Sequence, residues 1–343
     1  MSYKHFVRAP GIFVLYGFLI LLPLSGMAAG AEPSACLQDL LENGSDDMTL
    51  GEARQQCGYP LSVVDAEETK NAESSSFTRR MNEERAAGTR PFSILAHKPN
   101  YLLLGAYNQN GWNSTPYQQL GNDPDYENDD IESQFQVSLK VPLAVDLFNN
   151  RMDIYGAYTN RSFWQVYNNE YSEPFRETNH EPELWAQFRN DWQILGLTNE
   201  INTFGWVHQS NGRAGPISRS WNRLYASFIF RKDDYLVSFK PWVWISKDKE
   251  KSDNPDIDEF MGHGEIKFAT DHKGHVFSGM IRNQFESGFD QGAIELSWSF
   301  PVFNYPYLKG YIQYFNGYGE SLIDYDQKVN RIGLGISITD WLD

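Results

Sequence analysis

The sequence predicts an all-β protein, a twelve-stranded antiparallel transmembrane β-barrel with short periplasmic turns and long extracellular loops. Three observations lead there. The chain opens with the pattern of an export signal. From about Tyr101 its apolar residues alternate with period two in about twelve segments, and the connections between those segments are short and long by turns.

The signal comes first in the chain. In "MSYKHFVRAPGIFVLYGFLILLPLSGMAAGAEPSAC", Lys4 and Arg8 precede an apolar run from about Gly11 to Pro23, and small residues follow, with Ala29 and Ala31 placed for an A-x-A cleavage site. Residues 1–31 are therefore expected to leave on export. No later stretch approaches the roughly 20 apolar residues that a helix needs to cross a bilayer. The formal net charge of −16 grows more negative once Lys4 and Arg8 are gone, which repels a phosphate backbone and excludes nucleic acid as a partner.

Residues 32–97 are polar and acidic, and are expected to form a periplasmic segment with a short helical hairpin and a flexible tether. Cys36 and Cys57 lie just after the signal in an oxidising compartment, where a disulfide is expected rather than two free thiols.

Residues 98–343 are expected to form the barrel. The clearest strand is "FQVSLKVPLAV", where Phe135, Val137, Leu139, Val141, Leu143 and Val145 share one face against Gln136, Ser138 and Lys140. In "AIELSWSF", Ile294, Leu296, Trp298 and Phe300 oppose Glu295, Ser297 and Ser299, and near the C-terminus Ile332, Leu334, Ile336 and Ile338 alternate with Arg331, Gly333, Gly335 and Ser337. The twelve segments fall near 99–108, 132–145, 152–161, 182–192, 200–208, 220–231, 235–246, 261–271, 275–283, 291–300, 307–316 and 330–341. The links "LFNN", "QILGL", "KDD", "HKG" and "VFNYP" are short; those near 109–131, 162–181, 209–219, 247–260 and 316–329 are long and polar. A soluble β-sandwich also alternates, but it does not explain an export signal, polar inward faces and unequal loops together.

The same parity locates a candidate site in "WVHQSNGRAGPISRSWNRLY". Phe204, Trp206, His208 and Ser210 share a face, and in the next strand Asn222, Leu224, Ala226, Phe228 and Phe230 do. The bulky apolar residues on those faces must point to lipid, so His208, Ser210 and Asn222 point there too. A polar group facing hydrocarbon without a partner costs several kcal/mol, roughly, so the three must bond to one another and have a use. A hydroxyl nucleophile, an imidazole base and an amide that orients the ring are the parts of an acyl-transfer site, and the ester available to it there is that of a phospholipid. His97, His180, His263, His272 and His275 show no comparable grouping and are expected to be solvated loop or strand-end histidines.

"HQSNGR" followed by "SRSWNRLY", with "YSEPFRETNHEPEL" upstream and "GYGESLIDYDQKVNRIGLG" near the end, resembles the calcium-dependent outer-membrane phospholipase A family of Gram-negative bacteria over about residues 95 to 343. The resemblance implies a twelve-stranded barrel with its triad facing lipid: Ser210 as nucleophile, His208 as general base, Asn222 as the group that orients it, and Gly212 as an oxyanion donor through its backbone N–H. It also implies a Ca2+ ion held by the Arg213 carbonyl, the Ser218 hydroxyl and Ser172 of a second copy, so that a homodimer is the active form. Such a site is poor in protein oxygens and carboxylates, and rich in water.

Three positions depart from the family pattern. Asn160 stands where a Gln pairs across the dimer, and Gly215 stands where an Asp would share a second calcium position with Asp253. The chain ends "TDWLD" without the usual terminal aromatic, leaving Trp341 to substitute. Two other functions remain open at this point: a non-catalytic barrel that is a porin or lipid-binding scaffold, and an acyltransferase using the same triad.

Overall fold

The computed structural model describes residues 75–342, apart from positions 91, 122, 247, 284, 304 and 306. The signal peptide and the Cys36/Cys57 pair lie outside the described residues. Twelve long strands run in chain order: β1 Asn100–Asn108, β2 Ile131–Asp146, β3 Met152–Trp164, β4 Phe175–Arg189, β5 Leu197–Ser210, β6 Ser220–Lys232, β7 Tyr235–Trp244, β8 Gly264–His272, β9 His275–Arg282, β10 Ala293–Pro301, β11 Lys309–Gly317 and β12 Val329–Thr339. Each pairs antiparallel with the next, and β12 returns to pair with β1, so the barrel closes without a free edge. Two-residue strands at Leu95–Ala96 and Gln193–Ile194 add to β2 and β5. Among the described residues no helix is long and apolar enough to cross a membrane; the crossing is made by strands.

Alternation sorts the side chains as expected. On β2, Val137, Leu139, Val141 and Leu143 are exposed on the outer wall while Gln134, Ser138 and Lys140 are buried in the interior. On β12, Ile332, Leu334 and Ile338 face out, while Arg331 and Ser337 are buried. A polar interior must satisfy its charges internally. At the loop end the buried Arg176 pairs with Glu132 (Nε–Oε2 2.8 Å) and with Asp324, and lies 4.2 Å over the Trp112 ring. Arg331 Nε meets Glu320 Oε1 at 2.5 Å. These contacts draw the 318–328 loop inward, where Leu322, Ile323 and Tyr325 are buried.

The stretch expected as a tether holds a helix instead. α1, Ser76–Gly88, starts where the Ser75 hydroxyl caps Thr78 N–H, and it lies against the interior at the turn end. Phe77 and Met81 pack with Ile201, Ala269 and Val276, while Glu84 Oε2 accepts from Lys140 Nζ at 2.7 Å. The helix is mostly polar because its partners are the polar inner wall; only Phe77, Glu84 and Gly88 are buried. Trp341, expected to substitute for the terminal aromatic, packs in this same cluster beneath Lys267 Nζ, 4.8 Å from its ring centroid. The last strand stops at Thr339, and Trp341 keeps the odd-numbered parity of the buried Arg331 and Ser337, so it falls on the inner side of the wall.

Candidate active site

β5 and β6 are held in register by an inward row. Val207, Trp221, Arg223 and Tyr225 are buried in the barrel, and Gln209 Oε1 accepts from Trp221 Nε1 at 2.8 Å and Arg223 Nη2 at 3.2 Å. A one-residue slip would send this row into lipid, so the register is fixed. Its outward counterpart follows: Phe204, Trp206 and Leu224 are exposed, and between them and the loop stand His208, Ser210 and Asn222. His208 lies directly opposite Asn222, and Ser210 opposite Ser220 on one side and His180 of β4 on the other.

His208 Nδ1 donates to Asn222 Oδ1 at 3.0 Å. An amide oxygen only accepts, so Nδ1 carries the hydrogen and Nε2 keeps its lone pair. The Trp206 ring stacks beside the imidazole, 6.3 Å between centroids and 16° between planes, which further restrains it. Ser210 Oγ accepts from Gly212 N–H at 3.0 Å. Among the described residues no hydrogen bond joins Ser210 Oγ to the His208 ring; such contacts are often long before substrate binds. Gly212 has φ +65°, a left-handed conformation that favours glycine, and a Cβ there would be in ordinary contact with the His180 ring, 3.4 Å from Cδ2. A hydroxyl, an imidazole lone pair and a backbone donor aimed at that hydroxyl can together carry out acyl transfer.

The expected metal ligands sit on adjoining loops. Arg213 Nη2 donates to the carbonyls of Phe175 and Arg176, at 3.3 and 3.0 Å, which ties the loop after β5 to β4. Among the described residues the Arg213 carbonyl accepts no hydrogen bond. Ser218 follows the short turn Gly215–Ile217, and its hydroxyl donates to Asp253 Oδ2 at 2.6 Å. Ser172 is exposed in the loop before β4 with φ +60°, free to meet another molecule. Among the described residues no three His, Cys, Asp or Glu side chains form a metal cluster. A carbonyl, a hydroxyl and one nearby carboxylate suit a hard, oxygen-seeking cation that completes its shell with water. Here the structure adds to the sequence reading: Asp253, expected to stand alone opposite Gly215, is brought to Ser218.

His180 differs more. It is not a solvated strand-end residue: its Nδ1 lies 2.5 Å from Tyr158 Oη and 3.5 Å from Asn160 Nδ2, and its ring edge faces Gly212. The alternation that placed Leu184 outward placed His180 outward too, but only the β4–β5 register brings it to Ser210. His97 also departs from expectation, stacked on Trp185 with Nε2 3.1 Å from Glu183 Oε1.

The phospholipase A1 family model matches residues 77–338. Phospholipase A1 of Klebsiella pneumoniae is 35% identical over 252 residues, 73% of this chain and 84% of that protein. The Proteus vulgaris enzyme is 37% identical over 250 residues, with coverages of 73% and 83%. Among solved structures, outer membrane phospholipase A from Escherichia coli superposes with a TM-score of 0.65 at 34% identity, covering 73% of this chain and all of that one. The Salmonella typhi outer membrane phospholipase dimer with bound calcium superposes with the same TM-score and identity, covering 73% of this chain and 94% of that one. With twelve strands closed on a polar interior, an apolar outer wall and this kinship, the chain belongs to the phospholipase A1 family and is a β-barrel phospholipase, an ester hydrolase, of the outer membrane.

Proposed function

We propose that the enzyme hydrolyses acyl esters of phospholipids and lysophospholipids through an acyl-enzyme on Ser210, with Ca2+ required and a homodimer as the active form. The observation that carries this is the outward His208–Asn222 pair at 3.0 Å, two residues from a serine whose oxygen receives the Gly212 N–H. His208 Nε2 takes the Ser210 proton as Oγ attacks the ester carbonyl, and Asn222 holds the ring and its tautomer. The Gly212 N–H receives the developing oxyanion. Collapse breaks the bond to the glycerol oxygen, which takes the proton from His208; a water, activated by the same imidazole, then releases the fatty acid.

Arg213 through its carbonyl and Ser218 through its hydroxyl would hold the calcium, with Ser172 of a second copy closing the site. The cation, when bound, supplies positive charge near the developing oxyanion. The calcium-bound dimer of the Salmonella typhi relative supports both the ion and the assembly. Asn160 weakens the polar part of that contact, because its Oδ1 already accepts from Ser162 Oγ at 3.0 Å within the same chain. In the same reading, residues 1–31 are a removed signal, Cys36 and Cys57 pair within the segment 32–97, and 98–343 is the catalytic barrel.

The lipid-facing position favours this reading over a porin, whose polar groups belong in the lumen. The test is labelling with a long-chain alkylsulfonyl fluoride followed by peptide mass spectrometry. An adduct on Ser210 that forms in the native protein and is lost in His208→Ala supports the mechanism; equal labelling in both proteins, or an adduct elsewhere, contradicts it.

A further inference from the structure

We infer that His180 is a second donor to the oxyanion, acting through Nε2–H alongside the Gly212 N–H. The inference deepens the proposed Ser210 mechanism and rests on it.

The surroundings of Nδ1 fix the tautomer of the His180 ring. Asn160 Nδ2, 3.5 Å away, can only donate, since its partner atom Oδ1 is the one accepting from Ser162 Oγ. Nδ1 must then be an acceptor, and the Tyr158 hydroxyl at 2.5 Å donates to it as well. With Nδ1 committed to accepting, the hydrogen of the neutral ring is on Nε2. That atom makes no hydrogen bond among the described residues.

Its position gives it a use. His180 is paired across the β4–β5 ladder with Ser210 itself. Nε2 lies 3.5 Å from the place a Cβ on Gly212 would occupy, so the ring edge stands beside the very residue whose N–H reaches Ser210 Oγ. Ser210 is thus flanked by two imidazoles in opposite tautomers. His208 presents a lone pair, fixed by Asn222, and suits proton removal; His180 presents an N–H, fixed by Tyr158 and Asn160, and suits anion stabilisation. A donor left unsatisfied on a lipid-facing wall costs free energy at rest, which is recovered when a charged oxygen arrives.

In the step itself no proton leaves His180. Ser210 Oγ bonds to the carbonyl carbon, the C=O electron pair moves onto oxygen, His208 takes the hydroxyl proton, and His180 and Gly212 both hydrogen-bond the resulting oxyanion. The bond to the leaving glycerol oxygen then breaks as the carbonyl re-forms.

Two substitutions separate this role from packing. In His180→Asn the amide oxygen can replace Nδ1 as the acceptor for Tyr158, but nothing reaches the Nε2 position; in His180→Gln the terminal amide restores a donor there. The measurement is kcat and KM on a lysophospholipid in mixed micelles with saturating calcium, together with the melting temperature of each variant and with Ser210→Ala as reference. Loss of one oxyanion donor lowers kcat by about 10²-fold. The expected pattern is that loss in His180→Asn at unchanged KM and melting temperature, with His180→Gln within about tenfold of native. Native kcat in His180→Asn, with Ser210→Ala inactive, overturns the role of His180 and leaves the nucleophile standing. Equal losses in both variants that follow a fall in melting temperature overturn it too, and make His180 a packing residue. Full activity in Ser210→Ala removes the underlying mechanism instead.

Discussion

Replacing Asn222 by Ala removes one acceptor and nothing else that is buried. The lost contact is a single bond from His208 Nδ1 to a neutral oxygen at 3.0 Å, on a side chain that is only half-buried. A neutral hydrogen bond contributes about 0.5–1.5 kcal/mol net, which is roughly 2- to 13-fold in rate. Freeing the ring to adopt the wrong tautomer or to turn away adds a further factor, restrained by the stacked Trp206. A triad with a charged aspartate loses about 10⁴-fold when its orienting group is neutralised. Asn222 supplies no charge to lose, so the expected loss of kcat lies near 10- to 100-fold, roughly two to three orders of magnitude short of that. Asn222→Asp keeps an acceptor oxygen in place and is expected to stay within about tenfold of native. The assay is fatty-acid release from phospholipid in mixed micelles, with calcium, at fixed detergent ratio. If Asn222→Ala were as dead as Ser210→Ala, or as active as native, the idea of a neutral orienting group would fail.

Gly212→Ala must place a side chain at φ +65° and 3.4 Å from His180, and a left-handed residue other than glycine costs about 1–2 kcal/mol. Its kcat is expected to fall by about 10²- to 10³-fold with little change in far-UV circular dichroism. Because the Asp253 carboxylate stands 2.6 Å from the Ser218 hydroxyl, Asp253→Asn is expected to raise the calcium concentration for half-maximal activity about tenfold, read by calcium titration after EDTA. Burial pushes the Glu84 carboxyl up, but Lys140 and Arg80 outweigh it and hold it below its ordinary 4.5. The stability it contributes is therefore complete above about 4.5 and is lost as pH falls through the lowered folded value. Melting temperatures measured from pH 7 to pH 3 should drop at the acid end for the native protein, and Glu84→Gln should remove part of that slope.

Period two revealed most of this fold because lipid outside and charge inside impose opposite demands on alternate residues. Every one of the twelve segments corresponds to a strand, and the alternation alone turned His208, Ser210 and Asn222 to the same side of the wall. α1 was harder to see, since a helix whose surroundings are the polar inner wall has no need of an apolar stripe. Lys140, Ile201 and Ala269 become its partners only when the barrel closes. Asp253 and His180 were hidden for a related reason. One is joined to Ser218 across two loops, and the other to Ser210 through the register of a ladder whose preceding loop follows no periodic rule. Alternation tells which face a residue takes; it does not tell which residue of the next strand it meets.

The central claim is that Ser210 is the nucleophile of a calcium-dependent lipase. It is tested most directly by fatty-acid release from mixed detergent and phospholipid micelles, for refolded native protein and Ser210→Ala, each with calcium and with EDTA. Release is expected only from the native protein and only with calcium. Release at equal rates from both proteins, or undiminished by EDTA, would contradict it.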